Sequence, residues 1–594
     1  MIKITLFSCL NQLDYRPPLY YRPPIGPYFK LLLVLVLLSV SPLALANAQG
    51  ALPSITLLLL DDQPELEPSG PVTATLQSLT RVHGVSPETV YFSAHQSNDI
   101  ADESLQHRYG RLAYHFHFDD PDSGAYATTG GSKNHQVSGS PRAIHTFICT
   151  PESSRYQSGV CTYQVGVRVQ NPAGEYADDF LTVTISGSDH YYSAADTLCI
   201  STTGDFTGCE GTQLNQTPDV GEFSGKRVRF RRGESFASAC IGYQESTVLL
   251  DAFGEGEQRP FLPSVRVGVD SSCNDGVPSN ADLVNYPDLS RDVNGHISQG
   301  WAYDVTVTGL RLGSAGGGMA STLVTWHDLD LDWSSDPSYD GEFELGNFGR
   351  ACTQNADLDC ANIPYPYGVF VTDTVARSHP SNLAGVNMNC YIECGLINSG
   401  AAGVDLKTAS GHNFRIQGAW GLVVSNVWFR GEHIGENGPK SRITLRLLET
   451  SVQSSLIADP EDFGSGAQLR NMVATARWSN RYNMVLDSRF NEASQAPEHD
   501  SASFVEFRSG HQYSGIYGNQ FFDDPVSDGA QIRLGGTNIF ARDNLYNGVD
   551  SDCRYDDTFA NGTAYQNDAL IFADSNTNCN SNVPAIATPN QPGS

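Results

Sequence analysis

The stretches Gly421–Phe429 (GLVVSNVWF) and Gly515–Phe522 (GIYGNQFF) decide the fold of this chain. In each, a short strand-like run ends in a small or amide residue, and an apolar or aromatic pair follows. The same pattern recurs in Val305–Leu312 (VTVTGLRL), Leu323–Leu331 (LVTWHDLDL), Tyr482–Phe490 (YNMVLDSRF) and Asn538–Tyr546 (NIFARDNLY). Ser488, Asn519 and Asn544 are 31 and 25 residues apart. Such periods are typical of a solenoid with one coil per repeat.

One coil cannot bury its apolar face alone, so stacked coils must supply the core. We therefore predict an all-β protein, with an N-terminal β-sandwich followed by a right-handed parallel β-helix. The composition agrees, because the 594 residues include 56 Gly and 31 Pro and only 17% are charged. This balance is typical of turn-rich β structure, and the length exceeds one ordinary core.

The predicted order is a leader and signal peptide (1–48), a linker (49–77), a sandwich (78–188) and a β-helix (189–594). The apolar run Leu31–Leu38 follows Lys30 and precedes small-residue cleavage sites ending at Ala46 and Ala48. It is too short to span a bilayer comfortably, which indicates a signal peptide. We expect a secreted bacterial protein, extracellular or periplasmic, that is a monomer and does not insert into membranes.

The cysteines support an oxidising compartment. Apart from Cys9 in the leader there are twelve, and they fall as neighbours along the sequence. We predict local disulfides, with zinc ligation as the alternative. The neighbouring pairs are Cys149/Cys161, Cys199/Cys209, Cys240/Cys273, Cys352/Cys360, Cys390/Cys394 and Cys553/Cys579.

The net charge is −30, and the chain contains six lysines. A surface this acidic repels nucleic acid, so we expect no nucleic-acid partner. A polyanionic substrate would need a local basic groove or bound cations.

The first domain resembles the PKD family of immunoglobulin-like extracellular modules. The resemblance is carried by Val85-Ser86-Pro87, Tyr114–Gly124 (YHFHFDDPDSG), His145-Thr146-Phe147 and Tyr163–Val169 with Asn171 and Gly174. Phe116, His117 and Asp119 depart from the family's Trp, Asp and Gly. The resemblance implies a spacer or a weak carbohydrate- or protein-binding module.

From about Asp189 onward the chain resembles the pectate-lyase-like β-helix superfamily, through coils such as SGIYGNQFF and NIFARDNLY. The resemblance implies a polysaccharide as partner. It also implies chemistry on outward-facing residues of one parallel sheet. Asn426, Asn519 and Asn544 fall at similar points of their coils, and we expect them to form part of an asparagine ladder.

Asp328, Asp330 and Asp332 are predicted to form a metal site. Strand alternation would place the three carboxylates on one face and Leu329 and Leu331 on the other. Like charges this close repel unless a cation neutralises them, and oxygen ligands favour Ca²⁺. Calcium is therefore the predicted cofactor, and a solvated acidic face is the alternative.

A basic cluster follows in Arg430–Arg446 (RGEHIGENGPKSRITLR). Lys440, Arg442 and Arg446 are the predicted catalytic residues, with Arg442, Thr444 and Arg446 on one strand face. Lyases of this fold abstract the C5 proton of a uronate with Arg or Lys, while Ca²⁺ or Arg neutralises the carboxylate. The alternative is charge pairing with nearby glutamates.

Further residues are predicted to bind the substrate: Arg430, His433, Trp428, Arg508 and His511. Trp428 would stack on a sugar ring, although core packing is its alternative. Arg508 and His511 lie in a stretch that loosely resembles alginate-lyase-type β-helices, and a structural role is their alternative. The basic run Lys226–Arg232 (KRVRFRR) is predicted to cap the start of the β-helix.

Together these features predict a polysaccharide-active protein, foremost a lyase that cleaves an anionic, uronic-acid-containing glycan. A non-catalytic glycan-binding or adhesin-type surface protein is the first alternative. A β-helix glycoside hydrolase is the second, and it would need paired acids at a defined separation.

Overall fold

The computed structural model describes residues 72–99, 112–242, 245–268, 302–317, 321–339 and 367–377, and the backbone of further strands up to residue 572. Beyond residue 377, it describes side chains at 379, 399–406, 422–428, 488, 519 and 590–592. Almost every element in these parts is a strand. The helix α1 (Ser188–Tyr191) has four residues, and no helix among the described residues is long and apolar enough to cross a membrane.

The first strands form a β-sandwich. They are β1 (Val72–Thr73), β2 (Gln77–Ser78), β3 (His83–Val85), β4 (Glu88–Ser93), β5 (Asn98–Asp99), β6 (Ala113–His117), β7 (His135–Ser138), β8 (Arg142–Phe147), β9 (Tyr156–Gln157), β10 (Val160–Gln170) and β11 (Tyr176–Ser186). One sheet has the order β2-β4-β8, and the other has the order β3-β11-β10-β6-β7 with β9 beside β10. Strands β1 and β5 form a separate pair.

The two sandwich sheets enclose an aromatic core. Phe92, Phe116, Phe147 and Tyr163 are fully buried there. A disulfide joins Cys149 to Cys161, as the sequence predicts. The apolar-rich runs Thr89–Ala94, Leu112–Phe118, Thr162–Gln170 and Phe180–Ser186 predict strands, and they overlap β4, β6, β10 and β11.

The rest of the described chain forms short parallel strands that wind into coils. The first half of them are β12 (Thr197–Ile200), β13 (Thr212–Leu214), β14 (Arg227–Arg231), β15 (Ala239–Ile241), β16 (Ser246–Phe253), β17 (Phe261–Val267), β18 (Ala302–Thr308), β19 (Arg311–Gly317), β20 (Ser321–His327), β21 (Asp330–Asp332), β22 (Glu342–Leu345), β23 (Tyr367–Thr372), β24 (Val375–Arg377), β25 (Val386–Asn387), β26 (Leu396–Ile397), β27 (Gly400–Ala402), β28 (Asp405–Thr408), β29 (His412–Trp420) and β30 (Val423–Ser425). The others are β31 (Trp428–Gly431), β32 (Lys440–Leu448), β33 (Ser451–Gln453), β34 (Leu456–Ile457), β35 (Met472–Ala474), β36 (Asn480–Arg481), β37 (Met484–Leu486), β38 (Arg489–Asn491), β39 (Val505–Gln512), β40 (Gly515–Tyr517), β41 (Gln520–Phe522), β42 (Ile532–Thr537), β43 (Ile539–Arg542), β44 (Leu545–Tyr546), β45 (Tyr555–Asp556) and β46 (Leu570–Phe572).

Parallel pairing between successive coils stacks these strands into three sheets. Sheet A is β12-β14-β16-β18-β20-β23-β27-β30-β33-β37-β40-β43-β46. Sheet B runs from the first residues of β17 and β19 through β21-β24-β28-β31-β34-β38-β41-β44. Sheet C runs from β15 and the last residues of β17 and β19 through β22-β25-β29-β32-β35-β39-β42-β45. The predicted all-β class, a sandwich followed by a parallel β-helix, is confirmed.

In the coils that begin with β18, β20, β23, β27 and β30, a two-residue corner joins sheet A to sheet B. Its first residue has a positive φ of 49–69° in Gly309, Asp328, Asp373, Gly403 and Asn426. Glycine, Asn and Asp tolerate this left-handed conformation best. The second residue is buried, as in Leu310, Leu329, Val404 and Val427. Each stretch that the sequence marks as one strand is therefore two short strands across a corner.

The asparagine ladder is only partly as predicted. The fully buried Asn519 accepts a hydrogen bond at Oδ1 from the backbone N–H of Ser488, one coil earlier (3.0 Å). Asn426 does not belong to this column, because it holds the left-handed corner position and Val427 is the register equivalent of Asn519. Asn544 lies outside the described residues.

Substitution of Asn519 by alanine should lower the free energy of unfolding by about 1–3 kcal/mol, because the buried N–H of Ser488 loses its acceptor. Urea unfolding of the mature chain measures this change. Replacement of the exposed Gln258 by alanine is the control and should stay within about 0.5 kcal/mol. An unchanged unfolding midpoint for Asn519→Ala would show that the Asn519 amide does not stabilise the fold.

The sandwich packs on the outer face of sheet A. Tyr91 and Ile144 turn away from the sandwich core and join Phe370, Ala402 and Val423 in a buried apolar cluster. Ile144 lies against Gly400, where an added Cβ would be 2.8 Å from Ile144 Cδ1. Outward-facing Thr306 and Thr372 are buried as well. A ligand along these coils must therefore use sheet B or sheet C.

Polar contacts complete this internal interface. Thr146 donates to Thr372 (3.1 Å), Thr129 donates to Asn426 Oδ1 (2.8 Å), and Lys133 pairs with Asp373 (2.9 Å). Arg81 forms ion pairs with Glu88 of the sandwich and Asp304 of the β-helix. Buried polar groups with partners of this kind fix a single docking geometry.

The Ile144→Lys variant should place a charge in the apolar cluster and destabilise the docked state by about 3 kcal/mol or more. Ile148, which is 42% exposed just after the same strand, supplies the control variant Ile148→Lys. Urea unfolding combined with small-angle scattering should show a lower midpoint and a larger radius of gyration for Ile144→Lys alone. Equal behaviour of the two variants would contradict the proposed packing.

Candidate functional site

Two columns of register positions run along the β-helix axis on sheet B. The first column consists of Phe261, Arg311, Asp330, Val375, Asp405 and Trp428. The second consists of Asp332, Arg377, Lys407 and Arg430. Between the columns, Leu312, Leu331 and Leu406 point into the core. Successive members are one strand spacing apart, roughly 4.8 Å.

The predicted aspartate strand is divided by a corner. Asp330 and Asp332 lie on β21 and face outward, while Leu329 and Leu331 are buried as predicted. Asp328 precedes the strand at the left-handed corner, where Arg259 binds its carboxylate (2.7 Å). The three carboxylates therefore do not share one strand face, because the corner breaks the alternation.

The carboxylates on sheet B differ in their partners. Arg377 bridges Asp332 (3.1 Å) and the buried Asp405 of the next coil. Asp330 accepts a hydrogen bond from the backbone N–H of Asp332 (2.9 Å) and forms no ion pair with a residue that the structure describes. One arginine therefore pairs with both Asp332 and Asp405, while no described cation pairs with Asp330.

The described residues contain no group of three or more His, Cys, Asp or Glu side chains placed to hold a metal ion. At the predicted site, two of the three aspartates have arginine partners instead. The Ca²⁺ site at Asp328, Asp330 and Asp332 stays a prediction.

The predicted basic residues are divided between two sheets. Arg430 lies on β31 of sheet B, and Lys440, Arg442 and Arg446 lie on β32 of sheet C. His433, on the connection between these strands, lies outside the described residues. The pairing of β32 with β29 is irregular between Lys440 and Ile443 and again just after Arg446.

Arg508 and His511 lie on β39, also in sheet C and two coils beyond β32. Thr444 and Glu506 occupy the same register position of sheet C, two coils apart. Arg446 and Arg508 each lie two residues after that position in their strands. Strand pairing thus places Arg430 and Trp428 on sheet B, the sheet that contains Asp330 and Asp332. It places Arg442 on sheet C. The catalytic and binding roles of these residues stay predictions.

Sequence analysis missed Arg377, Asp405 and Lys407, which belong to the two columns. A signal for the two cations is present, since a cation follows three of the five corner residues by four positions. The pairs are Asp373 with Arg377, Gly403 with Lys407, and Asn426 with Arg430. The basic run Lys226–Arg232, predicted as a cap, provides ion pairs from Arg227 to Asp251 and from Arg231 to Asp205.

No protein-family model and no curated protein matches the chain. Among solved structures, it is similar to ORF18 of Geobacillus virus E2, with 11% identity and a TM-score of 0.26. That match covers 56% of this chain and 52% of the viral protein, so the chain spans about half of the latter's length.

Two other solved structures are carbohydrate-active enzymes. The A-module of mannuronan C-5 epimerase AlgE4 from Azotobacter vinelandii has 10% identity and a TM-score of 0.21, over 54% of this chain and 79% of that one. The catalytic domain of a GH87 α-1,3-glucanase in complex with nigerose has 9% identity and a TM-score of 0.22, over 82% and 92%. Likeness at this level assigns no function to the chain.

His327 lies directly before the Asp328 corner, and its partner Thr372 also bonds to Thr146 of the docked sandwich. Its Nδ1 is 3.0 Å from Thr372 Oγ1 and 3.8 Å from Asp373 Oδ2. Burial lowers the pKa of His327; Lys133 and Arg259 act in the same direction, while Asp373 and Asp328 oppose it. The folded protein therefore favours the neutral imidazole.

As pH falls below the ordinary histidine pKa of about 6.5, the unfolded chain takes up this proton first and stability is lost. Between about pH 7.5 and about pH 5.5, the urea midpoint should therefore fall more in the wild-type protein than in His327→Gln. Glutamine keeps a hydrogen-bonding group near Thr372 but does not titrate. Identical pH slopes in the two proteins would contradict this role of His327.

Proposed function

We propose that this is a secreted polysaccharide-active protein that binds an anionic, uronic-acid-containing glycan along sheet B and cleaves it as a lyase. The observation that carries the proposal is the second column, in which Arg377, Lys407 and Arg430 hold one register position in three consecutive coils. A linear polymer with regularly spaced acid groups matches a row of cations along the coil axis.

The charge of the protein makes this row selective. With a net charge of −30, the surface as a whole repels polyanions. An acidic glycan can therefore be retained only where cations gather locally. Arginine suits this task, because its guanidinium binds carboxylates through two parallel hydrogen bonds.

Cleavage of a uronate glycan by elimination needs two kinds of group. A cation at the C6 carboxylate stabilises the charge that develops when a base removes the C5 proton. The C4–O bond then breaks, a C4–C5 double bond forms, and the leaving oxygen takes up a proton. Arg377, Lys407 and Arg430 would neutralise the carboxylates. Lys440, Arg442 and Arg446 are the predicted bases, and from β32 of sheet C they would have to reach a glycan bound on the neighbouring sheet B.

One observation favours hydrolysis as the second candidate. Asp330 and Asp332 lie on the same strand face, and Asp330 has no cation partner among the described residues. A pair of carboxyl groups flanking a glycosidic bond is the machinery of most glycoside hydrolases. Binding without cleavage, as in an adhesin, needs the cation column alone.

The mature chain should be incubated with alginate, pectate and sulfated algal glycans, with and without Ca²⁺. A lyase raises absorbance in the unsaturated-uronate band, whereas a hydrolase releases new reducing ends without that band. Affinity electrophoresis on the same glycans detects binding alone. No binding and no product on any glycan would contradict the proposal.

Lys407→Ala should weaken binding to the preferred glycan by about tenfold or more, because one charge-assisted contact is lost. Lys226→Ala is the matched control, since Lys226 pairs with Asp196 at the other end of the β-helix. Equal binding by the two variants would exclude the second column as the glycan-binding row.

A further inference from the structure

Arg311, in the first column of sheet B, is stacked on an aromatic ring instead of being paired with an acid. Its guanidinium carbon lies 4.4 Å from the ring centre of Trp333. Its side chain forms no hydrogen bond or ion pair with the residues that the structure describes, and its Nε is buried without a hydrogen-bond partner. Arg311 is nevertheless close enough to Asp336 to help lower the pKa of that exposed carboxyl group. Asp330 is its direct register partner in the next coil, yet the two form no ion pair.

Three aromatic rings gather beside Arg311. The ring centres of Trp333 and Tyr339 are 4.6 Å apart, and Phe261 lies 5.6 Å from Trp333 and 5.3 Å from Tyr339. The Trp333 N–H donates to the carbonyl of Leu312 (2.7 Å), which fixes the indole. Phe261 and Tyr339 are only partly buried, so their rings reach the surface.

A glycine makes this arrangement possible. An added Cβ at Gly313 would lie 2.4 Å from Tyr339 Cδ1 and 2.5 Å from the carbonyl oxygen of Pro263. The tyrosine ring therefore lies directly on the backbone of sheet B, in the coil that contains Arg311. Any larger residue at this position would displace the ring.

We infer that Arg311, Trp333, Tyr339 and Phe261 form a second glycan subsite, separate from the cation column, which takes one acidic sugar. Its carboxylate would pair with Arg311, and its apolar ring face would lie on the exposed aromatic surface. An arginine held against an aromatic ring keeps its planar donors in one orientation, which suits a carboxylate.

The subsite lies two coils from Arg377, roughly 10 Å along the axis. Asp330 lies between them, so cations flank a carboxylate on both sides. This arrangement suits a glycan long enough to place acid groups at both ends of the site. The second subsite rests on the proposed function, and it adds that the glycan must exceed a minimum length to occupy both groups of cations.

The test uses a series of oligouronates, from disaccharide to octasaccharide, with the mature protein and isothermal titration calorimetry. The affinity of the wild-type protein should rise with oligomer length until one oligomer contacts both Arg311 and the second column of sheet B. Arg311→Gln should weaken octasaccharide binding about tenfold and leave the shortest bound oligomer within about twofold. Arg311→Lys should restore only part of the loss, because an ammonium lacks the planar fork.

Tyr339→Ala provides a second variant that leaves the charge unchanged, and it should show the same length-dependent loss. Arg259→Gln is the matched control; Arg259 binds Asp328 near the same end of sheet B and should be dispensable for binding. Circular dichroism and urea midpoints verify that each variant is folded.

Length-independent loss, or no loss in Arg311→Gln and Tyr339→Ala, would overturn the second subsite alone. Absence of binding by the wild-type protein to every oligouronate and polymer would instead overturn the proposed function. The two failures are thus distinguished by the wild-type titration.

Discussion

In-register parallel pairing of one coil on the next is the constraint on which the other features of this molecule depend. A slip of one residue would turn Leu312, Leu331 and Leu406 outward and bury charged side chains in their place. The two-residue corner between sheets A and B opposes such a slip. It combines a left-handed residue with a buried one in the five coils from Gly309 to Asn426. Because the register is fixed, residues at one outward register position of successive coils also align into a column. Charged residues that recur at such a position therefore form a row along the axis.

Docking of the sandwich determines which of these columns can serve a ligand. Tyr91 and Ile144 cover the outer face of sheet A, and Thr146, Thr129 and Lys133 provide the polar contacts. The interface is buried, and these three polar groups have partners across it, while the Tyr91 hydroxyl is buried without one. The sandwich is therefore an integral part of the β-helix surface rather than a loosely tethered spacer. Sheet B, with its arginines, aspartates and aromatic rings, lies outside this interface.

Much of the fold could be predicted from the sequence, because alternation and corner residues are local patterns. The disulfides Cys149–Cys161 and Cys199–Cys209 were predictable for the same reason, since their partners are near neighbours in the chain. Cys240 is also disulfide-bonded, and its predicted partner Cys273 lies outside the described residues. The remaining predicted pairs also lie outside the described residues.

The candidate site was less predictable, because its residues recur at unequal intervals. Arg377 is 45 residues from Asp332 and 28 residues from Asp405, although they lie in adjacent coils. Unequal connections hide such a column from any fixed period. Asn426 was assigned to the asparagine ladder for a different reason: it occupies the first corner position, one residue before the position of Asn519.

The sequence by itself determined the strands, the corners, the local disulfides and the need for local cations in an acidic protein. These follow from interactions between residues that are close in the chain. Only the tertiary structure decided that Arg377, Lys407 and Arg430 share a column, that the sandwich covers sheet A, and that Arg311 stacks on Trp333. Each of these three features depends on connections of different length that bring residues distant in the chain into register. No local sequence pattern encodes the length of such a connection.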